Sequence, residues 1–297
     1  MEDICTASRQ AVRTGIADAQ SLLQGSSRSR VKGEGLEYVD FRPYVPGDDI
    51  RYVDWRISAR RTVPGNRIDL VVKEFMSEKM VHTLIVLDMS SSMVFKDKLP
   101  GSLYTSSLMI SLAEAFEDKI MIGIISGDEY RVYVPRRPRE AIYYLVNRVC
   151  REKPCSGEKD TATLFGEIIR KTRMIRGAVF LTDYSHTPEH IRVLRKISVA
   201  RGLSLSLIYF YDWAEINPPL EKGYVPICDL NGECIAGDIR AIYKAIREHV
   251  HRINAVSKLV TPYVIRIMGL TGARTEKLRI MNTYLSIRTR KPLVPTR

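Results

Sequence analysis

No apolar run in this chain approaches the roughly 18 residues that a membrane-spanning helix needs. Val199 to Tyr211 comes nearest, but Arg201, Gly202, Ser204 and Ser206 interrupt it. The start, Met1-Glu2-Asp3-Ile4-Cys5, lacks the basic segment and apolar stretch of a signal peptide. A cytoplasmic protein without a membrane span is expected. There is no Gly-x4-Gly-Lys-Ser/Thr loop, which excludes a P-loop ATPase. Internal repeats and low-complexity tracts are lacking too. Cysteines are few and odd in number: Cys5, Cys150, Cys155, Cys228 and Cys234. An odd count in a cytoplasmic chain argues against a disulfide framework. Cys150/Cys155 and Cys228/Cys234 are candidate pairs, or together a four-cysteine zinc site. The second spacing is wide for zinc and the first lies at the upper limit.

What is present is ordinary for a globular protein: 297 residues, 45% hydrophobic and 27% charged. That length allows one large domain or two smaller ones. The net charge of +12 is unevenly placed, because residues 239–297 hold 13 Lys/Arg against Glu248 and Glu276. The first 238 residues are then close to neutral. A basic segment of this kind suits nucleic acid, anionic lipid or an acidic partner, or is a solvated helix face with a loose tail.

Strand and helix patterns alternate along the middle of the chain. Ala11–Leu23 reads as an amphipathic helix, and Arg67–Lys73 as a strand. Val81–Leu87 reads as a strand buried on both faces, Ser102–Lys119 as a helix, and Ile120–Ser126 with Tyr130–Val134 as a hairpin. Helices follow at Arg139–Cys150, Thr161–Met174 and Pro188–Arg201, with strands at Gly177–Leu181 and Leu203–Phe210. Asn231-Gly232 marks a further hairpin turn. Ile239–Val260 is a long basic helix, and residues 269–297 are left without a firm assignment. The pattern predicts an α/β fold with a mostly parallel sheet flanked by helices. Three segments are expected: 1–79, a helix and charged extension; 80–238, the α/β domain; and 239–297, a basic helical end.

The chemistry concentrates where strands end. Leu84-Ile85-Val86-Leu87 runs directly into Asp88-Met89-Ser90-Ser91-Ser92. In α/β sheets, ligands bind beyond the carboxyl ends of strands. Asp88, Ser90 and Ser92 alternate, so an extended loop aims all of them at one point. One carboxylate and two hydroxyls suit a hard cation such as Mg²⁺. The alternative is local capping. This Asp-x-Ser-x-Ser pattern resembles the metal-ion-dependent adhesion site of von Willebrand factor A domains. The resemblance implies a threonine before a helix and an aspartate after the next strand, and Thr161 and Asp183 occupy those positions. The family often shows Gly-Gly-Thr; here Lys159-Asp160-Thr161 stands instead, which leaves Thr161 and Thr163 as alternatives and brings Asp160 close. The implied site is Asp88, Ser90, Ser92, Thr161 and Asp183 holding Mg²⁺ or Mn²⁺. It would coordinate an Asp or Glu of a protein partner.

A denser pattern precedes the domain. Pro46-Gly47-Asp48-Asp49 is a turn signal. Asp48, Asp49, Arg51, Asp54, Trp55 and Arg60 mix both signs around aromatic residues. They read as an ion-pair clamp onto the α/β domain, a partner-binding surface or a hydrolytic site. Gly33-x-Gly35, then Asp40-x-Arg42-x-Tyr44-x-Pro46-Gly47-Asp48-Asp49-x-Arg51-x-x-Asp54-Trp55-x-x-Ser58-Ala59-Arg60, then Asp88-x-Ser90-x-Ser92-Met93, is similar to the family called domain of unknown function 58. The likeness covers roughly residues 15 to 240. It implies a von Willebrand A-like domain and a partner among MoxR-type AAA+ ATPases, in chaperone-like assembly or maturation. No catalytic constellation is evident, so an enzyme is not expected. The alternatives are a metal-dependent phosphatase or nuclease, and nucleic-acid binding through residues 239–297. The hydrolase would need more clustered carboxylates or histidines. Nucleic-acid binding lacks a reader motif.

Overall fold

A computed structural model describes residues 2–27, 36–46, 48–60, 62–63, 67–68, 70–77, 80–217, 222–228 and 234–289. They divide into two compact units, Met1–Leu23 with Val81–Arg297, and Gln24–Met80. The chain opens with helix α1 (Glu2–Ser27). The smaller unit then has β1 (Leu36–Pro43), a one-turn helix α2 (Trp55–Ser58), β2 (Thr62–Val63), β3 (Arg67–Ile68) and β4 (Val71–Ser77). β1 pairs antiparallel with β4, and β2 with β3. The single strand expected over 67–73 is therefore two strands.

In this unit the charged block serves the local backbone. Asp49 accepts from the Arg51 amide at 3.0 Å and pairs with its guanidinium at 2.6 Å. Asp54 caps α2, accepting from the amides of Arg56 and Ile57. Asp48 accepts from the Val45 amide. The Ser58 hydroxyl donates to the Asp54 carbonyl and accepts from the Val71 amide, which ties α2 to β4. Trp55 is 61% exposed and Arg60 is exposed. Gly33, Gly35 and Gly47 of the family pattern lie outside the described residues.

The larger unit continues with β5 (His82–Asp88), α3 (Lys98–Ala115), β6 (Lys119–Ser126), β7 (Glu129–Tyr133) and α4 (Pro138–Arg151). Next come α5 (Thr161–Lys171), β8 (Gly177–Thr182), α6 (Pro188–Arg201), β9 (Ser204–Tyr211) and the short helix α7 (Trp213–Ile216). It ends with β10 (Tyr224–Cys228), β11 (Cys234–Asp238), α8 (Ile239–Val260), β12 (Tyr263–Met268), α9 (Gly269–Thr275) and α10 (Lys277–Thr289). β10 and β11 form an antiparallel hairpin; the Asn231-Gly232 turn lies outside the described residues.

Six strands make one sheet in the order β12-β9-β8-β5-β6-β7. All pairs are parallel except β6 with β7. Numbered within the sheet this is 3-2-1-4-5-6, the doubly wound order in which chain direction reverses beside the first strand. The fold is the expected α/β class, a mostly parallel sheet flanked by helices. Alternate side chains feed two cores. Ile85, Leu87, Val179 and Leu181 face α1, α3, α4, α9 and α10. Leu84, Val86, Ala178 and Phe180 face α5, α6 and α8. Burial on both faces explains the uninterrupted apolar run Leu84–Leu87 that precedes Asp88 in β5.

Helix α3 is buried almost all round. It tolerates Ser102, Thr105, Ser106 and Ser107 because each hydroxyl bonds back to a carbonyl three or four residues earlier. It spans 98–115, not 102–119: the chain turns at Glu117, with φ of 56°, and Asp118 leaves the helix to accept from the Val81 amide. α1 lies close on α3 at Gly15, where a Cβ would stand 2.6 Å from the Tyr104 carbonyl oxygen.

The division at 238/239 gives way to a single larger unit. α8 buries Ile253 and Val256 in one core, and β12 buries Ile265 and Ile267 in the other. Several basic residues of that segment are held internally. Arg288 pairs with Asp118 at 2.9 Å, and Lys277 with Asp18 at 3.0 Å. The cysteines form disulfides Cys5–Cys150 and Cys228–Cys234, with Cys155 free. Cys150 thus pairs with Cys5, not Cys155, and these thiols form no four-cysteine zinc site. No helix among the described residues is long and apolar enough to cross a membrane.

Candidate functional site

The first residues beyond β5 and β8 meet at the point where the sheet's winding reverses. Asp88 ends β5 and is fully buried. Its Oδ1 accepts from the Ser90 amide at 2.9 Å, so the loop folds back on the carboxylate. Its Oδ2 accepts from the hydroxyls of Thr161 at 2.7 Å and Thr182 at 2.6 Å. Thr161 opens α5, while Thr163 is exposed; the Asp88 partner is Thr161. The Ser90 and Ser92 hydroxyls lie 3.1 Å apart. Asp183, just past β8, lies near the Ser92 hydroxyl. Asp88, Ser90, Ser92 and Thr161 therefore form one hydrogen-bonded set, and Asp183 stands beside it.

Lys98, Glu215, Thr182, His186 and Asp160 complete it. Lys98, at the start of α3, is 1% exposed, and its Nζ reaches Asp183 Oδ2 at 2.9 Å and Glu215 Oε1 at 2.6 Å. Glu215 belongs to α7, where it closes a capping box with Asp212. On the other side Thr182 Oγ1 contacts His186 Nε2 at 2.7 Å, and His186 Nδ1 contacts Asp160 Oδ1 at 2.8 Å. Hydrogen-bond directions follow from this network. Thr182 has one hydroxyl proton and gives it to Asp88, so His186 Nε2 donates to Thr182. The Asp160 carboxylate only accepts, so Nδ1 donates as well. With Asp88 and Asp160 both ionised, this makes His186 an imidazolium. Asp160, the extra acid flagged by the sequence, caps α5 through the Ala162 amide and also holds His190.

The electrostatics agree with these roles. Burial, together with the charge of Asp183, raises the Asp88 carboxyl above its ordinary value. Burial alone would raise Asp183 too, but the Lys98 ammonium and the nearby Ser92 and Ser185 donors hold it down at about 2. Burial opposes the charge on His186, but the Asp160 bond and charge outweigh it and hold the imidazole above its usual value. Asp160 is held well below the usual carboxylate range: burial works against this, while the His186 bond and charge bring it about. With all ionised, the carboxylates of Asp88, Asp160, Asp183 and Glu215 face two cations, Lys98 and His186. Two negative charges remain.

A measurable pH dependence follows from Asp183. Its folded value lies below that of an unfolded aspartate, about 3.9. The contribution is therefore complete above that value and is lost as pH falls towards about 2. Urea unfolding between pH 5 and pH 2 should show wild type losing about 2 kcal/mol more than Asp183→Asn. Parallel losses in the two proteins would show that Asp183 is not held as described.

Ser90, Ser92, Thr161, Asp183 and Glu215 face a cleft of about 1300 Å³, whose far wall is the first half of α8. Asp88 lies behind them, out of contact with solvent. Among the described residues no group of three or more His, Cys, Asp or Glu is placed to hold a metal; here hydroxyls supply most of the oxygens. That donor set fits a hard cation. Ligands at the roughly 2.1 Å of a Mg²⁺ octahedron lie about 3.0 Å apart along an edge, close to the Ser90–Ser92 separation of 3.1 Å.

The class that the fold and site define is a doubly wound α/β domain with an Asp-x-Ser-x-Ser loop at its switch point. The family model described as Protein of unknown function DUF58 matches residues 40–256, and the chain belongs to that family. Uncharacterised proteins from Mycobacterium tuberculosis H37Rv and Mycobacterium bovis are each 25% identical over 266 residues, covering 86% of this chain and 80% of theirs. Similar solved structures include BatB, a conserved hypothetical protein from Bacteroides thetaiotaomicron. It is 16% identical with a TM-score of 0.44, over 68% of this chain and 98% of that one. An aerotolerance-related membrane protein from Bacteroides fragilis is 16% identical with a TM-score of 0.45, over 69% and 99%. The VWA domain of SpRpn10 is 11% identical with a TM-score of 0.36, over 67% and 95%.

Proposed function

We propose that this protein is a protein-interaction module whose site holds Mg²⁺, or Mn²⁺, and through it binds a carboxylate of a partner. The observation that carries this reading is the set of Ser90, Ser92, Thr161 and Asp183 at one wall of an open cleft, with Asp88 buried behind them. The residual charge of that cluster and its hydroxyl-rich donors favour a divalent hard cation. The bound ion supplies a Lewis-acidic position for an Asp or Glu side chain. Ser90, Ser92, Thr161 and Asp183 would hold it, with Asp88 behind them orienting Ser90 and Thr161. Membership of the DUF58 family supports a partner of the MoxR AAA+ ATPase type and a role in assembly or maturation.

Chelation tests this directly. Recovery of an AAA+ ATPase with the full chain from its native cell should require Mg²⁺, and should be lost with EDTA. Equal recovery with and without the chelator would contradict metal-gated binding.

A second reading has one specific observation behind it. Arg240, Lys244, Arg247, His251 and Lys258 recur at helical spacing on the exposed side of α8. Nucleic-acid binding through this stripe would weaken steeply with salt.

A further inference from the structure

We propose that Lys98 is the resident cation of the Asp183 carboxylate, and that it gives that carboxylate up, remaining on Glu215, when a divalent ion binds. The inference rests on the metal reading above and adds what sets the ion's affinity. A lysine is almost never fully buried unless it is paired, and Lys98 is 1% exposed with two carboxylate partners.

The two partners differ. Asp183 is 5% exposed, lies near Ser92 of the Asp-x-Ser-x-Ser loop, and accepts from the Ser185 amide at 3.0 Å. It belongs to the site. Glu215 stands on α7, its side chain 31% exposed at the cleft, and its second oxygen accepts from the Asp212 amide. It belongs to a separate element and keeps Lys98 within reach whatever Asp183 does.

Asp183 is thus committed to an ammonium in the structure as it stands. A divalent ion against Ser90 and Ser92 needs the same carboxylate. Two cations on one buried carboxylate repel each other strongly where the effective dielectric is low. Turning Asp183 to the ion costs its bond to Lys98, but not Lys98's charge balance, because Glu215 retains it. Lys98 therefore lowers the affinity for the ion and replaces its charge while the ion is away. Without Lys98, the buried Asp183 would lack a counter-charge.

This assigns opposite signs to two substitutions. Lys98→Met frees Asp183 and removes a repelling charge, so the affinity for Mn²⁺ and Mg²⁺ should rise by about tenfold or more. Glu215→Gln leaves Lys98 with Asp183 as its one charged partner, so affinity should fall severalfold. Lys98→Met should also be less stable than wild type without divalent ion, and should gain more melting temperature from added Mg²⁺. A lysine that merely fills space would shift both variants in the same direction.

Calorimetric titration of the full chain with Mn²⁺ and with Mg²⁺ decides between them. Tighter binding in Lys98→Met and weaker binding in Glu215→Gln support the exchange. If wild type binds and Lys98→Met binds equally or more weakly, the role of Lys98 falls while the metal reading stands. If wild type and both variants, all folded, bind neither ion, the metal reading falls and this inference with it. Should Lys98→Met fail to fold, Glu215→Gln carries the test, and unchanged affinity there overturns the exchange.

Discussion

Asp88→Ala should abolish divalent-cation binding and cost about 2–4 kcal/mol of stability, the largest single effect expected at the site. Three donors converge on this carboxylate: the Ser90 amide and the hydroxyls of Thr161 and Thr182. All belong to buried residues. Removing their shared acceptor leaves buried donors without their partner, and each such group costs about 1–3 kcal/mol. Relief of the repulsion between Asp88 and Asp183 offsets part of this. The loss is not only one of stability. Ser90 and Thr161 are oriented by Asp88, so the oxygens at the cleft lose their common anchor. Asp88→Asn is the milder change: its one amide oxygen still accepts in place of one carboxylate oxygen, while its NH2 meets the donors at the other and its charge is gone. It should retain part of the stability and lose most of the affinity for Mg²⁺. Urea denaturation together with Mg²⁺ titration reads both quantities. Full ion affinity in Asp88→Ala would show that the carboxylate does not organise the site.

Opening the Cys5–Cys150 disulfide should destabilise the larger unit by about 5 kcal/mol on the chain-entropy scale, an upper figure for a bond of this span. It joins α1 to α4 across 145 residues of sequence. Cys228–Cys234 closes a separation of 6 residues and is worth about 2 kcal/mol on the same scale. Cys5→Ser should therefore lower the melting temperature by about 10–20 °C, at about 2–4 °C per kcal/mol for a chain of this size. Cys228→Ser should have less than half that effect. Calorimetric melting of both variants, with wild type under reducing and non-reducing conditions, checks the order. Equal melting temperatures for Cys5→Ser and wild type would mean that α1 is held by its packing alone. Ala11 and Ala19 in the core and the close approach at Gly15 supply that packing.

The two disulfides also show what spacing in sequence conceals. Cys150 is five residues from Cys155 and 145 from Cys5, yet it is bonded to Cys5, because the helices bring distant turns together. The residues legible in advance were those fixed by local pattern. Asp88, Ser90 and Ser92 follow a doubly buried strand, Thr161 opens a helix after a polar loop, and Asp183 ends the next strand. Each sits at an edge that strand alternation and helix capping already define. Lys98 and Glu215 carried no such mark. Lys98 falls in what read as a loop before a helix starting at Ser102, and its burial depends on α3 beginning earlier. Glu215 lies in a four-residue helix too short to leave a periodic signal. Thr182 and His186 flank Asp183, but their bonds to Asp88 and Asp160 depend on the β5–β8 pairing. The end of the sheet was hidden for a related reason. In β12 only Ile265 and Ile267 are buried, while Arg266 and the flanking residues are not. A six-residue edge strand between two helices gives little alternation to detect.

The central claim is that the oxygens around Asp88 and Asp183 hold a divalent ion. Titration of the wild-type full chain with Mg²⁺ in a calorimeter, beside Asp88→Asn, measures it most directly. One ion bound per chain in wild type, and none in Asp88→Asn of unchanged fold, is the predicted result. No binding in wild type, or equal binding in both proteins, would contradict it.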